Sequence, residues 1–323
     1  MEYKIRIVIF CFLVIHLQGC KSPDLPTNEI VLSEKKQEAY LSHAKPAKHF
    51  GFKVFPVINN QIGMKGSARL HPNHRAIVPM VSESLPVIEI AGRNYRDPSF
   101  ALIDTGSPNS WMEFAYSQTI NTDFLSFRDR YFPYTGKYST GGVPAYGAIA
   151  YQIRISQLFI EDMPVYIRMA AGSLGPLARN IETPKIRSVL GYDLLRLFSY
   201  VQFNFINRTV DFETMKPFIP NEQWVLGKAN IINEPGEGLV LDGALFDKNM
   251  PMVLDLAGDY HLAHENADST LARQVSIGEL VFRQVPQTKL PENTTTRLGK
   301  ELFSDLIVTI CPLDNTVYFE KPN

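Results

Sequence analysis

Residues 101–112 read "ALIDTGSPNSWM". Three apolar residues run into an acid, a hydroxyl and a glycine, and the stretch closes on Trp111 and Met112. Ala101, Leu102 and Ile103 have the character of a buried strand, so Asp104 is delivered to a strand end with apolar neighbours. An ionised carboxyl there is costly unless something partners it. The residues that follow can supply such partners. Thr105 can tie down the loop through its hydroxyl, Gly106 permits close backbone approach, and Ser107 can hydrogen-bond the carboxylate.

A second aspartate stands in a related setting, because the chain carries an internal repeat. "PVIEIAGRNYRDPSFALIDTGS" (86–107) and "LVLDGALFDKNMPMVLDLAGD" (239–259) share a plan of strand, turn, apolar strand, Asp and turn. "LGYDLLRLFSYVQFNFINRTVDFE" (190–213) parallels "LGKELFSDLIVTICPLDNTVYFE" (298–320), each with Leu-Gly, a short helix ending Phe-Ser, a hairpin and Thr-Val-x-Phe-Glu. The interval 104–190 is about twice the interval 255–298, so the first copy holds something that the second lacks. Two β lobes, each ending an apolar strand on an Asp, can bring Asp104 and Asp255 together at a pseudo-two-fold interface. Two carboxyls about 3 Å apart cannot both ionise; they share a proton, one acting as base on a water while the other donates to a carbonyl. Such a pair titrates as a unit.

"DTGSPNSW" (104–111) resembles the first active-site motif of the pepsin-like aspartic peptidases, Asp-Thr-Gly-Ser, any residue, Asn, any residue, Trp. "KYSTGGVPAYGAIAYQI" (137–153) resembles the flap hairpin of that family, with Tyr138, Thr140 and Gly141 as the flap residues and Tyr146 as the competing tyrosine. The resemblance covers roughly residues 86–320. It implies a mainly β, bilobed acid-protease-type fold of double-ψ β-barrels with short helices, a catalytic pair Asp104 and Asp255, and support from Thr105, Gly106, Ser107 and Trp111. It further implies that Tyr138 closes over an extended peptide and hydrogen-bonds Trp111. The second motif, "MVLDLAGDY" (252–260), departs from the family pattern: Leu256 stands where the family has Thr or Ser, and Ala257 where it has Gly. Leu256 cannot join a mutual threonine hydroxyl network, a loss of about 1–3 kcal/mol in a buried setting unless it is rewired.

Aspartic-type endopeptidase activity is therefore the expected function, with no cofactor and no metal. A pseudo-peptidase that binds peptides or a protein partner in the same cleft is the alternative. A monomer is the expected state, and a homodimer pairing two first lobes is the other arrangement. Lys and Arg number 32 and Asp and Glu 33, for a net charge of −1 without long runs of either sign, which argues against nucleic acid as a partner. Of two His pairs, Pro72 spoils helical presentation of His71 and His74, and His261/His264 with Glu265 lacks an obvious third ligand at metal spacing, which argues against a zinc site. Ser107 and Ser110 have no positioned His for serine-hydrolase chemistry.

The N-terminus, "MEYKIRIVIFCFLVIHLQGCKS", places Lys4 and Arg6 before an apolar run from Ile7 to Leu17. It reads as an export leader over residues 1–19, and "LQGC" resembles the bacterial lipobox, so Cys20 is expected to carry a lipid that anchors the chain in a bilayer. In the enterobacterial sorting pattern that this start resembles, an acidic residue after the lipidated Cys retains lipoproteins at the inner membrane; Lys21 is not acidic, so the resemblance implies the outer membrane, facing the periplasm. Cys311 is then the other cysteine of the mature chain, and no internal disulfide forms. Residues 20–49, polar and Pro-dotted, read as a flexible tether with a short helix possible near 32–41. An N-terminal lobe with the flap is expected over 50–217 and a shorter C-terminal lobe over 218–323, with "FKVFPVI" (52–58) as a candidate strand of the sheet joining them.

Overall fold

The computed structural model describes residues 30–56, 62–66, 68–71, 75–93, 98–127, 131, 133–134, 143–172, 174, 185–234, 236–267 and 269–322. The fold is mainly β, 52% strand against 11% helix, and includes a closed six-stranded barrel, so helices punctuate sheets rather than forming a layer.

The barrel belongs to the second half of the chain. Its strands run, in hydrogen-bonded order, Val240–Leu245, Lys248–Asp255, Arg297–Gly299, Leu262–His264, Leu280–Lys289 and Leu271–Ile277, and the last pairs back onto the first. The first half repeats this order with Val87–Ile90, Ser99–Asp104, Ile186–Gly191, Trp111–Glu113, Leu158–Arg168 and Ala145–Ile155. Here the ring closes through one bridge, Ala91 and Arg154 exchanging N–H···O bonds of 3.1 and 2.8 Å. In each ring the Asp-bearing strand lies parallel to the strand ending in Leu-Gly: Ile103 faces Leu190 and Asp104 faces Gly191, as Leu254 faces Leu298 and Asp255 faces Gly299. Strands buried on both faces read as near-continuous apolar runs, which is why "FALID" and "MVLD" do not alternate. Ile103 and Leu254 are fully buried, about 1.5–3 kcal/mol apiece.

A six-stranded antiparallel sheet joins the halves, in the order Arg75–Pro79, Thr209–Glu213, Tyr200–Asn204, Ile307–Cys311, Thr316–Glu320, Val225–Ile232. Its outer strand from the first half is 75–79, not the expected 52–58. Lys53–Pro56 instead pairs with Ile62–Lys65 as a separate hairpin. Most of the extra length of the first copy lies between Glu113 and Ala145. There a helix, Phe114–Thr119, and strands Thr122–Ser126 and Pro133–Tyr134 intervene, where the second half has only residues 265–270 between strands.

The expected tether is corrected from residue 30 onward. Ile30–Val31 pairs with Ala170–Ala171, and a helix spans Glu34–Leu41. Lys45–Pro46 then pairs with Leu125–Ser126. Leu41 and Ala47 are buried, and Tyr40 meets Phe114 edge to face at 4.7 Å. A single i, i+4 pair, Gln37 and Leu41, makes the buried stripe of that helix, too little to register as amphipathic in sequence. Among the described residues no helix is long and apolar enough to cross a membrane. Residues 20–29 and the leader lie outside the described residues.

Candidate functional site

Each aspartate sits at the head of a loop that is braced in the same way. Ser107 N–H donates to Asp104 O at 3.1 Å and Gly258 N–H to Asp255 O at 2.9 Å. From below, Tyr192 N–H donates to Ser107 O at 2.8 Å and Lys300 N–H to Gly258 O at 3.0 Å. The Leu-Gly glycines make this approach possible. A Cβ on Gly191 would lie 2.4 Å from Asn109 O, and one on Gly299 would lie 1.9 Å from Tyr260 O.

The two loops meet. Asp104 is 0% and Asp255 2% exposed, so neither carboxyl draws on bulk water for its hydration. A Cβ on Gly106 would lie 2.9 Å from Asp255 Cγ and 3.0 Å from Arg297 Nη1, which means the α-carbon of the first loop rests against the carboxyl of the second. Thr105 stitches the loops: its hydroxyl donates to Leu254 O at 2.5 Å and accepts from Leu256 N–H at 2.9 Å. Leu239 N–H donates to Thr105 O at 2.7 Å. Leu256 answers with no hydroxyl; fully buried, it joins the main apolar core. Ala257 packs against the cluster that holds Trp111, Tyr166 and Val189. Gly106 N–H donates to Asp104 Oδ1 at 2.9 Å.

Trp111 is buried, its ring 5.5 Å from that of Tyr166, whose hydroxyl accepts from Met64 N–H at 3.1 Å. Ser107 differs from expectation: its hydroxyl donates to Asn109 O at 2.7 Å, so its one proton serves the turn rather than a carboxylate. Tyr138, Thr140, Gly141 and Cys20 lie outside the described residues. Strands Pro133–Tyr134 and Ala145–Ile155, on either side of the segment expected to form a flap, pair antiparallel, Tyr134 opposite Ala145. Tyr146 is half-buried against Tyr131, the rings perpendicular at 6.1 Å, and burial raises its hydroxyl pKa. His264 Nδ1 lies 2.8 Å from Thr296 Oγ1, and His71 pairs with Glu161 at 3.3 Å. Among the described residues no group of three His, Cys, Asp or Glu converges on a metal site.

Sequence reasoning missed the residues that surround Asp255. Tyr260 O–H donates to Asp255 Oδ2 at 2.7 Å, and Arg297 Nη1 stands 3.5 Å from the same oxygen and 3.4 Å from Gly106 O. Glu237 backs the guanidinium at 3.6 Å and is itself held by Thr295 at 2.9 Å. Burial, then the charge of Asp255, pushes the Tyr260 hydroxyl up, and Asp104 adds to this. Burial pulls the Arg297 guanidinium down, but Asp255, Tyr260, Glu237 and Asp104 together outweigh it and raise it. Both aspartates therefore act on the same two side chains. The signal was available in the repeat: Tyr260 occupies the position of Asn109, and Arg297 precedes Leu298-Gly299 where the first copy has the apolar Val189. Below the first loop, Asp193 receives Ser110 N–H at 3.1 Å and Ser110 O–H at 2.7 Å, and burial raises its carboxyl to about 6.

Carboxyls about 3 Å apart hold one proton between them and can polarise a water or a carbonyl; here the loops that carry the buried Asp104 and Asp255 abut at Gly106. No protein-family model matches the chain, and a search of curated proteins finds no match.

Proposed function

We propose that the chain is an aspartic-type endopeptidase of bilobed, acid-protease architecture, built from two double-ψ barrels and anchored in a bilayer through a lipid on Cys20. The observation that carries this reading is the meeting of the two Asp loops, Gly106 packed on the Asp255 carboxyl and Thr105 bonded to both residues that flank Asp255. In this reading an extended peptide lies in the cleft between the halves. The ionised carboxyl of the pair takes a proton from a water as its oxygen attacks the scissile carbonyl carbon, and the protonated carboxyl donates to the carbonyl oxygen. The tetrahedral diol then collapses, one hydroxyl proton returning to the pair and the amine leaving with a proton from it. No covalent intermediate forms. The outer membrane, facing the periplasm, is the proposed location, with a monomer as the working unit.

A second reading, a pseudo-peptidase that binds peptides without cleaving them, is favoured by one observation. Tyr260 and Arg297 engage Asp255, and Leu256 has lost the reciprocal hydroxyl. Incubating the detergent-solubilised protein with a mixed peptide pool between pH 3 and 7, and reading products by mass spectrometry, separates the two. Cleavage that is absent from D104N supports the peptidase; saturable binding of intact peptides with no product supports the binder.

A further inference from the structure

The surroundings of the two aspartates differ in a way that assigns their roles. Asp104 accepts an amide N–H from Gly106. Asp255 accepts the Tyr260 O–H and also has a guanidinium 3.5 Å away. The other charged groups of these elements are spoken for or lie behind the guanidinium: Asp259, in the same loop, pairs with Lys300 at 2.9 Å, and Glu237 faces the far side of Arg297. Arg297 is only 19% exposed, so solvent screens its charge weakly. Its neutral counterpart in the first half is Val189, buried in the cluster around Trp111.

We infer that Arg297 and Tyr260 are positioning residues that keep Asp255 ionised and leave the shared proton on Asp104, making Asp255 the base toward water and Asp104 the acid toward the carbonyl. A cation beside one member of a carboxyl pair favours its charged form, and a hydroxyl donor does the same. The catalytic meaning of this rests on the peptidase reading above, whereas the proton's location does not. A second consequence follows from the same charge. Because the one-proton form is the working form, a nearby cation draws its upper limit downward, so this enzyme's window lies at lower pH than it would without Arg297.

The test is a site-resolved titration of the full-length protein carrying ¹³Cγ-labelled aspartate, with D104N and D255N used to assign the two resonances. In the wild type Asp104 should show the higher midpoint. R297Q should raise the Asp255 midpoint by about one unit or more, the size expected for loss of an opposite charge at this range. Y260F should raise it too, R297K should restore it, and E237Q, which unmasks the guanidinium, should move it the other way. If R297Q does not fold, Y260F and E237Q still decide the sign. An Asp255 midpoint above that of Asp104 in the wild type, or one unmoved by these substitutions, overturns the inference. Measured alongside, the upper limb of kcat/KM against pH should shift with the midpoint. Absence of turnover in the wild type with the midpoints as expected would remove the peptidase reading and leave the proton's location standing.

Discussion

Replacing Thr105 with valine removes the hydroxyl that stitches the halves while keeping the shape of the side chain. In the native protein that oxygen donates to Leu254 O at 2.5 Å and accepts from Leu256 N–H at 2.9 Å, and Thr105 is fully buried. The valine deprives two buried backbone groups of this partner at about 1–3 kcal/mol each, or about 2–6 kcal/mol together. The added methyl returns roughly 1 kcal/mol. Because Leu256 contributes no reciprocal hydroxyl, nothing on the other side compensates. A net loss of about 3 kcal/mol is a large part of a stability of about 5–15 kcal/mol. With a urea dependence of about 3 kcal/mol/M, the unfolding midpoint should fall by about 1 M. T105S, which keeps the hydroxyl, should stay near the wild type. Urea titration followed by tryptophan fluorescence reports on this directly, since Trp111 sits beside the loop. A T105V midpoint equal to that of the wild type would refute the claim that this hydroxyl holds the two aspartate loops together.

Three further outcomes are expected. G106A should fold yet lose about a hundredfold in kcat/KM, because a Cβ 2.9 Å from Asp255 Cγ forces that carboxyl to shift, and a displacement near 1 Å costs about that much; steady-state kinetics and circular dichroism check it. Asp193 is raised by burial from the ordinary carboxyl value of 3.8 to about 6, so the folded state holds this proton more tightly. Its contribution therefore worsens as pH rises through about 4 to 6, and the Tm of D193N should gain on the wild type across that interval. C20S should abolish incorporation of labelled palmitate and move the protein to the aqueous phase of a detergent partition.

The aspartates were legible because each ends an apolar strand and because the repeat aligns one with the other. The Leu-Gly braces were legible for the same reason, as Gly191 and Gly299 mark where another backbone must come close. What could not be read was whatever depends on partners far along the chain. Residues 30–49 look like a tether because their burial is borrowed: Leu41 and Ala47 are covered by the first half and have little periodicity of their own. Strand 75–79 alternates on only five residues, and its place in the joining sheet is fixed by Thr209–Glu213. Glu237 and Arg297 come to the Asp255–Tyr260 loop from separate segments, so the full network exists only after folding. Even so, an arginine where the first copy has a valine was a visible break in the apolar pattern.

The most direct measurement compares kcat/KM for wild type, D104N, D255N and the double variant on a peptide the protein cleaves. Carboxyls that act as one proton-sharing unit should make each single variant as inactive as the double. Turnover retained by D255N would contradict the claim that the second loop, with leucine and alanine after its aspartate, supplies half of the site.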